Sequence, residues 1–249
     1  PQEEIDRIDA YFADPDYAAL EDIDAELAAL GAREPEFARW LEVNTVDHKV
    51  PGYRIVNMSL KHPGQAPGDI TADAMDAVAD IADRYSFSEI RVSHRQNLVL
   101  PDVRQSDLYA VWQALAGLDL STPNIGKVTD MICCPGLDYC ALANARSIPL
   151  AQDIGSHFAQ HGAGHNLGDL TINISGCMNA CGHHHVGNIG SLGVAKRGEE
   201  YFQLTLGGSS TEDPRLGDRL GRALAQEEVP DAIEAIVDTY NELRLPEET

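Results

Sequence analysis

Basic side chains are scarce in this sequence of 249 residues: 18 Lys and Arg stand against 40 Asp and Glu, a formal net charge of −22. A protein that binds nucleic acid needs a basic face, so we expect no nucleic-acid partner. The sequence also lacks any apolar run of about 18 residues and any opening signal-peptide pattern, which argues against a membrane span and against secretion. We therefore expect a soluble, cytoplasmic protein whose hydrophobic residues, 43% of the chain, form a buried core.

Cysteine is also rare, and its distribution is uneven. There are five cysteines, an odd number that argues against a disulfide framework in a cytoplasmic chain of this size. All five lie between Met131 and Arg197, together with six of the nine histidines. This stretch contains only three acidic and three basic side chains. We interpret the acidic flanks as a solvated surface around a neutral, cysteine-containing segment.

Upstream of the cysteines, the pattern predicts an acidic helical lead-in followed by an α/β unit. Residues 1–45 carry Ala and Leu at helical positions and are expected to link or to pack. Residues 46–120 predict strand, helix, strand and helix in that order. The strands are PGYRIVNMSL (51–60) and one or two within IRVSHRQNLVL (90–100). The helices are a segment capped by Thr71, with Met75, Val78, Ile81 and Ala82 on one face, and SDLYAVWQALAG (106–117), capped by Ser106 and ended by Gly117.

The second region, residues 121–249, contains the cysteines. LTINIS (170–175) alternates apolar Ile172 and Ile174 with polar residues, which predicts a half-buried strand that runs directly into Cys177. EYFQLTLGG (200–208) predicts another strand. VPDAIEAIVDTYNEL (229–243) predicts a final amphipathic helix with a proline in its first turn.

Four of the cysteines form two pairs, Cys134-x5-Cys140 and Cys177-x3-Cys181. Structural zinc usually takes pairs separated by two to four residues, so the first pair is wide for zinc. An iron–sulfur cluster is a larger object and accepts wider pairs. Both cysteine segments, CCPGLDYC and SGCMNACG, are rich in small residues that let the backbone approach a cluster closely. The spacing favours an iron–sulfur cluster and leaves structural zinc and unrelated buried thiols as alternatives.

The segments CCPGLDYCALANARSIPLA and LTINISGCMNACGHHHVGNIG together resemble the sirohaem and [4Fe–4S] domain of the sulfite and nitrite reductase family. The upstream segment, PGYRIVNMSLKHPG through SHRQNLVLPDV, is similar to one of the two ferredoxin-like half-repeats of that family. The resemblance covers roughly residues 46–240. It implies an α+β fold in which a ferredoxin-like half-repeat (46–120) precedes an α/β sirohaem and [4Fe–4S] binding domain (121–249).

The resemblance also implies a set of site residues. Cys134, Cys140, Cys177 and Cys181 would ligate the cluster, and the sulfur of Cys181 would bridge the cluster to the sirohaem iron, which makes Cys181 the catalytic position. Small Ala180 and Gly182 on either side would let the two centres approach. The expected contacts of the carboxylate-rich macrocycle are Gln96, Asn97, Arg146, Asn179 and His183.

Three consecutive histidines, His183 to His185, also suggest a metal site. Adjacent residues alternate faces, so at most two of them could bind one ion. We favour hydrogen bonds to sirohaem carboxylates or to nearby backbone, with metal ligation and ordinary packing as the alternatives. Cys133 does not match a ligand position of the motif, and we expect it to be a small buried hydrophobe.

The function implied by the resemblance is the six-electron reduction of sulfite to sulfide or of nitrite to ammonia, with sulfite preferred. The expected partners are the small anion and an electron donor, ferredoxin or a flavoprotein. The sequence departs from the family in having one half-repeat and no basic cluster, with only three bases in residues 131–197. We therefore expect the C-terminal half of a reductase that needs its N-terminal half. The alternatives are a structural zinc module and a cluster-only electron-transfer protein.

Overall fold

The structure, a computed structural model, describes residues 1–161, 167–168 and 170–245, with only the backbone of His161. Of the six histidines in the neutral segment, His165 lies outside the described residues. The elements form two sheets, each with its own hydrophobic core. Within the described residues, none of the helices has both the length and the apolar character that a bilayer crossing requires.

The first sheet has the strand order β1-β2-β4-β3, and all of its pairs are antiparallel. Its strands are β1 (Thr45–Asp47), β2 (Tyr53–Met58), β3 (Arg91–Val92) and β4 (Leu98–Arg104). Helices α4 (Ala72–Tyr85) and α5 (Leu108–Ala116) pack on it. The strand–helix–strand–helix order is confirmed, and IRVSHRQNLVL contains two short strands.

The predicted helix caps of this unit are partly right. The Thr71 hydroxyl accepts a hydrogen bond from the amide of Ala74 at 3.2 Å and caps α4. Met75, expected on the buried face of α4, is instead 56% exposed. Ser106 does not cap α5, because residues 105–107 form a 3₁₀ turn and Asp107 occupies the cap position. The side chain of Gln105 accepts a hydrogen bond from the amide of Ile23 at 2.7 Å, which fixes this turn.

Much of the N-terminal segment packs into this unit. It contains α1 (Gln2–Asp9), α2 (Asp24–Gly31) and α3 (Pro35–Asn44). Leu27 of α2 and Phe37 and Trp40 of α3 lie in the core of the first sheet, and both aromatic side chains are fully buried. Residues 24–44 are therefore an integral part of the first core and not a linker, whereas α1 has no buried residue.

The second sheet has the order β5-β6-β7-β8-β9, with parallel pairing in its first three strands and antiparallel pairing in the rest. The strands are β5 (Ile132–Cys133), β6 (Ile172–Ser175), β7 (Ile189–Lys196), β8 (Glu199–Leu206) and β9 (Asp218–Arg219). The helices are α6 (Gly136–Tyr139), α7 (Ser147–His161) and α8 (Val229–Leu243). The predicted strand at 200–208 and the final helix are confirmed.

The prediction that strand β6 is half-buried is wrong, since all four of its residues are buried. Ile172 and Ile174 belong to the hydrophobic core with residues of α7 and α8. The polar residues Asn173 and Ser175 are covered on the opposite face by the turn that carries Cys181. Periodicity indicated which side chains enter the apolar core, but it could not show that a loop covers the other face.

A buried ion pair joins the two sheets. The Lys61 ammonium lies 2.7 Å from a carboxylate oxygen of Asp130, and both side chains are almost fully buried. Lys61 also donates to the side-chain oxygen of Asn97 at 3.1 Å and to the carbonyl of Arg95 at 2.6 Å. Burial lowers the pKa of Lys61, and Asp130 opposes that shift. Since removing one member would leave a buried charge unpaired, this network fixes how the two units meet.

Candidate functional site

The two cysteine pairs begin at the ends of neighbouring parallel strands. Cys133 of β5 pairs with Ile174 of β6, and the amide of Cys134 donates to the carbonyl of Ile174 at 3.1 Å. Cys134 therefore follows the end of β5 and lies beside the end of β6. Gly176 and Cys177 follow β6 directly. Parallel pairing places the carboxyl ends of both strands at the same edge of the sheet, where sites on such sheets usually form.

The loops that follow these strands are in direct contact through two glycines. A Cβ atom on Gly176 would lie 3.0 Å from the Cα atom of Gly136, and one on Gly136 would lie 2.4 Å from the amide nitrogen of Ser147. Gly136 also has a φ of +60°, which side chains disfavour. The carbonyl of Gly176 accepts hydrogen bonds from the amides of Asn144 and Ala145 at 2.8 and 3.0 Å. The small residues of the two motifs thus bring the loop that follows Cys134 into contact with the loop that carries Cys177.

The four paired cysteines differ in exposure. Cys134 and Cys177 are buried, Cys140 is half-buried and Cys181 is exposed. The amide of Gly176 donates to the sulfur of Cys134 at 3.0 Å. Backbone N–H groups directed at sulfur are a common way of orienting and supporting the ligands of iron–sulfur sites. The thiols therefore run from the interior to the surface, on two loops that are in contact. Thiols are the ligands that iron–sulfur clusters require, and ligation by these four stays a prediction.

The turn between Cys177 and His183 is closed by its own backbone. The amide of Ala180 donates to the carbonyl of Cys177 at 3.1 Å, and the amide of His183 donates to the carbonyl of Ala180 at 2.8 Å. Ala180 and His183 both have positive φ angles. Asn179, expected to fix this turn or to contact the macrocycle, is exposed at its surface. Its contact with sirohaem stays a prediction.

Gly182 has a packing role on the inner side of the turn, and its role in the approach of the two metal centres stays a prediction. A Cβ atom there would lie 1.9 Å from the carbonyl oxygen of Ile174 and 3.1 Å from the hydroxyl oxygen of Ser175. The glycine is therefore required because the turn presses against β6, whatever binds on its outer side. This contact between turn and strand holds Cys181 in place.

Two polar residues of β6 support the same turn, and the sequence analysis assigned them no role. The Asn173 amide donates to the carbonyls of Gly182 and His183 at 3.0 and 3.3 Å. The hydroxyl of Ser175 accepts a hydrogen bond from the amide of Gly182 at 3.1 Å. Their signal in the sequence was the polar half of the alternating LTINIS pattern, which we had assigned to a solvated face.

The prediction that the three consecutive histidines alternate faces is wrong, because His184–Val186 form a 3₁₀ turn and not an extended chain. His183 and His185 are exposed, and His184 is buried. The rings of His184 and His185 lie 3.9 Å apart, and the Nδ1 atom of His184 is buried without a hydrogen-bond partner in the described part of the chain. Burial, with a smaller contribution from His185, lowers the pKa of His184 to about 4. His184 is therefore neutral at pH 7. The proposed contact of His183 with a cofactor carboxylate stays a prediction.

The buried His184 predicts a pH-dependent stability. An exposed imidazole has a pKa of about 6.5, so the unfolded chain takes up a proton there, whereas the folded chain does so only near pH 4. The stability that neutral His184 contributes is complete above pH 6.5 and declines as the pH falls towards 4. Urea unfolding of the protein and of His184→Asn at several pH values measures this decline. We expect the difference in the free energy of unfolding between the unsubstituted protein and His184→Asn to shrink by on the order of 1 kcal/mol as the pH falls. The change is no larger because partial hydration of the imidazole reduces the effect. A difference that stays constant with pH would contradict it.

Gln96 and Asn97, expected at the macrocycle, make protein contacts that position the site. The Gln96 amide donates to the carbonyl of Cys133 at 2.8 Å and accepts from the amide of Cys133 at 3.0 Å. Asn97 is buried and donates to Asp130 at 2.8 Å while accepting from the amide of Leu60 at 3.1 Å. These contacts favour a positioning role for both residues, since they tie the first sheet to the strand that precedes Cys134.

The two remaining sequence expectations concern Arg146 and Cys133. The Arg146 guanidinium pairs with Glu200 at 2.9 Å, and the backbone amide of Arg146 donates to the same carboxylate at 2.7 Å. The side chain is about half exposed, and its contact with a cofactor stays a prediction. Cys133 is buried in the second core, as expected, and burial raises the pKa of its thiol well above the ordinary range. It is an inert packing residue.

Two family models match the chain over most of its length. One, described as the nitrite/sulfite reductase ferredoxin-like half domain, matches residues 55–118. The other, described as the nitrite and sulphite reductase 4Fe-4S domain, matches residues 125–247 and so includes all five cysteines. The first match begins within β2 and leaves out β1, whereas the second contains all strands of the second sheet.

Several curated proteins are similar to this chain. A "Sulfite reductase [ferredoxin] 2" from Mycolicibacterium paratuberculosis is 30% identical over 210 residues, which are 80% of this chain and 38% of that protein. An "Assimilatory ferredoxin-dependent nitrite reductase" from Haloferax mediterranei is 28% identical over 94% of this chain and 40% of its own length. The chain therefore spans about two-fifths of these relatives. A "Sulfite reductase, assimilatory-type" from Nitratidesulfovibrio vulgaris is 27% identical, and the match covers 77% of it.

A solved structure has the same fold. The NirA protein of Mycobacterium tuberculosis aligns with a TM-score of 0.69 at 25% identity, covering 83% of this chain and 38% of that one. The expected α+β fold, a ferredoxin-like half domain followed by a cysteine-bearing domain, is confirmed.

Proposed function

The chain belongs to the nitrite and sulfite reductase family, and from that premise we propose that it is the cluster-bearing half of a sulfite reductase. In this proposal Cys134, Cys140, Cys177 and Cys181 hold a [4Fe–4S] cluster, and Cys181 also ligates the iron of sirohaem. The boundary between the ferredoxin-like half domain and the cysteine-bearing domain would lie near residue 120. The observation that carries the proposal is the contact between Gly136 and Gly176, which brings the two cysteine loops together.

The cofactors would supply the redox chemistry, namely stored electrons and an iron at which the anion is reduced by six electrons in all. The chain's own residues would bind and orient them. The amide of Gly176, which donates to the sulfur of Cys134, would orient that ligand. Asn173 and Ser175 hold the turn of Cys181 against β6. Gln96 fixes the backbone of Cys133, next to the first ligand.

Exposed apolar side chains on the cysteine loops support the proposal that a second component covers this surface. Tyr139, Leu142 and Met178 lie on the cysteine loops and are 78%, 73% and 81% exposed. Large apolar side chains clustered at a surface mark ligand or partner contacts. The macrocycle and the remaining half of the reductase would cover these side chains, in agreement with the larger size of two of the relatives described above.

Sulfite is the proposed substrate and ferredoxin the proposed donor. The mycobacterial relative is named a ferredoxin sulfite reductase, and the Nitratidesulfovibrio relative a sulfite reductase. The haloarchaeal relative is named a nitrite reductase, so nitrite is the alternative. A flavoprotein donor is the alternative to ferredoxin.

Metal and pigment analysis tests this function directly. The chain, produced in cells that make sirohaem and purified without oxygen, should contain about five iron per chain, four in the cluster and one in sirohaem, together with about four sulfide, and show coupled haem-like absorption bands. A colourless protein with one zinc would establish a structural module instead. Iron and sulfide without tetrapyrrole bands would point to an electron-transfer protein that holds only the cluster.

A further inference from the structure

One buried hydroxyl beside the cysteine loops has a sulfur atom as its partner. Ser147 is the first residue of α7 and is fully buried. Its Oγ atom lies 3.5 Å from the Sγ atom of Cys134. In the described part of the chain, the hydroxyl makes no other hydrogen bond. Most side-chain hydrogen bonds go to backbone or water, so a buried hydroxyl directed at a sulfur is unusual.

The two cysteine loops hold this hydroxyl in place. A Cβ atom on Gly176 would lie 2.9 Å from the Oγ atom of Ser147, and one on Gly136 would lie 3.0 Å from it. The carbonyl of Ala145, two residues before the serine, accepts a hydrogen bond from the amide of Leu137 at 3.1 Å. The two glycines that let the loops meet therefore also leave room for the serine hydroxyl, and they keep it close to the sulfur.

The sulfur of Cys134 has two hydrogen-bonding neighbours. The amide of Gly176 donates to it at 3.0 Å, and the hydroxyl of Ser147 is the second. A cysteine that ligates metal is a thiolate without a proton, so the hydroxyl must then be the donor. Cys134 is buried, whereas Cys181 is exposed to water that can supply donors. The protein therefore determines the hydrogen bonding at Cys134 through its own groups.

Hydrogen bonds to the sulfurs are among the factors that set the reduction potential of an iron–sulfur cluster. A cluster that takes up one electron from a donor protein becomes more negative together with its thiolates. A hydrogen-bond donor directed at a ligand sulfur stabilises this added charge, and it does so more strongly where water is excluded. The positive end of the α7 dipole lies at Ser147 and acts in the same direction. Both groups favour the reduced cluster.

We propose that Ser147 raises the reduction potential of the cluster by donating a hydrogen bond to the sulfur of Cys134. It is a positioning residue that acts through this sulfur and is not itself a ligand. The inference rests on the proposed function, because it requires Cys134 to hold the cluster. It adds to that function a residue that determines how readily the site accepts an electron from its donor.

A redox titration of the loaded protein, followed by the electron paramagnetic resonance signal of the reduced cluster, tests the proposal. Ser147→Ala removes one oxygen atom and keeps α7 and its dipole. We expect the ratio of reduced to oxidised cluster at a fixed potential to fall by about threefold to tenfold, where tenfold in a one-electron couple corresponds to about 59 mV. Iron and sulfide per chain should be unchanged. Ser147→Thr keeps the hydroxyl and should retain the original ratio.

Ser191→Ala is the matched control. Ser191 lies in β7 of the second sheet and is fully buried, and its hydroxyl has no hydrogen-bond partner among the described residues. The same substitution there removes no hydrogen bond to a sulfur, so the reduction potential should stay unchanged. Circular dichroism checks that each variant is folded.

The possible outcomes separate this inference from the proposed function. An unsubstituted chain that holds no cluster would overturn the proposed function, and this inference with it. A loaded protein whose potential is the same in Ser147→Ala, or shifts equally in Ser147→Thr or Ser191→Ala, would overturn the inference alone. Failure of Ser147→Ala to fold or to hold the cluster would assign the hydroxyl a structural role, which also contradicts the proposal.

Discussion

Replacing Cys181 by serine is expected to remove the iron–sulfur and haem-like absorption of the purified protein. Cys181 is exposed and makes no contribution to either hydrophobic core, so serine should leave the fold intact. A hydroxyl is a much poorer ligand for iron than a thiolate. If this sulfur ligates both cofactors, the iron bound by the variant should fall by more than about tenfold. The coupled absorption bands should disappear. Iron analysis measures the bound iron, absorption spectra measure the cofactor bands, and circular dichroism checks that the fold is intact.

The fifth cysteine supplies the matched control. Cys133 directly precedes a proposed ligand but is buried in the second core. Cys133→Ala should keep the iron content and spectrum and lower stability by about 1 kcal/mol or slightly more. A Cys181→Ser protein with an unchanged haem-like spectrum would refute the assignment of Cys181.

Adding one methyl group at Gly182 should also prevent loading of the cluster, because it displaces the turn that carries Cys181 and not because it removes a ligand. The new Cβ atom would lie 1.9 Å from the carbonyl oxygen of Ile174, well inside the contact distance. To avoid it, the turn must move away from β6 and break its hydrogen bonds to Asn173 and Ser175. We expect Gly182→Ala to lower the free energy of unfolding by about 3 kcal/mol or more and to prevent loading of the cluster. Urea unfolding and iron analysis test both effects.

Gly117→Ala is the control for this substitution. Gly117 ends α5 with a φ of −66°, and a Cβ atom there would meet its nearest neighbour at 3.5 Å. Alanine fits that conformation, so stability should change by less than about 1 kcal/mol. If Gly182→Ala is as stable and as well loaded as Gly117→Ala, the turn does not depend on its contact with β6.

Sequence reasoning worked best where chemistry is local. The spacing of the cysteines and the small residues around them indicated an iron–sulfur family, and both family models support it. The alternation in LTINIS placed Ile172 and Ile174 correctly in the core. The same alternation failed for Asn173 and Ser175, because a turn from later in the chain covers that face. Gln96 and Asn97, predicted to contact the cofactor, make hydrogen bonds within the protein that no sequence pattern indicated, and their contact with the cofactor stays a prediction.

The amino-acid order alone established the cysteine pairs, the order of strands and helices in residues 51–117, and the family to which the chain belongs. These features depend on neighbouring residues and on periodic patterns that the chain carries with it. Folding was needed to show that Gly136 meets Gly176 and that Lys61 meets Asp130. Contacts between residues tens of positions apart arise from strand pairing within a sheet and from the packing of the two sheets, and no local pattern encodes them.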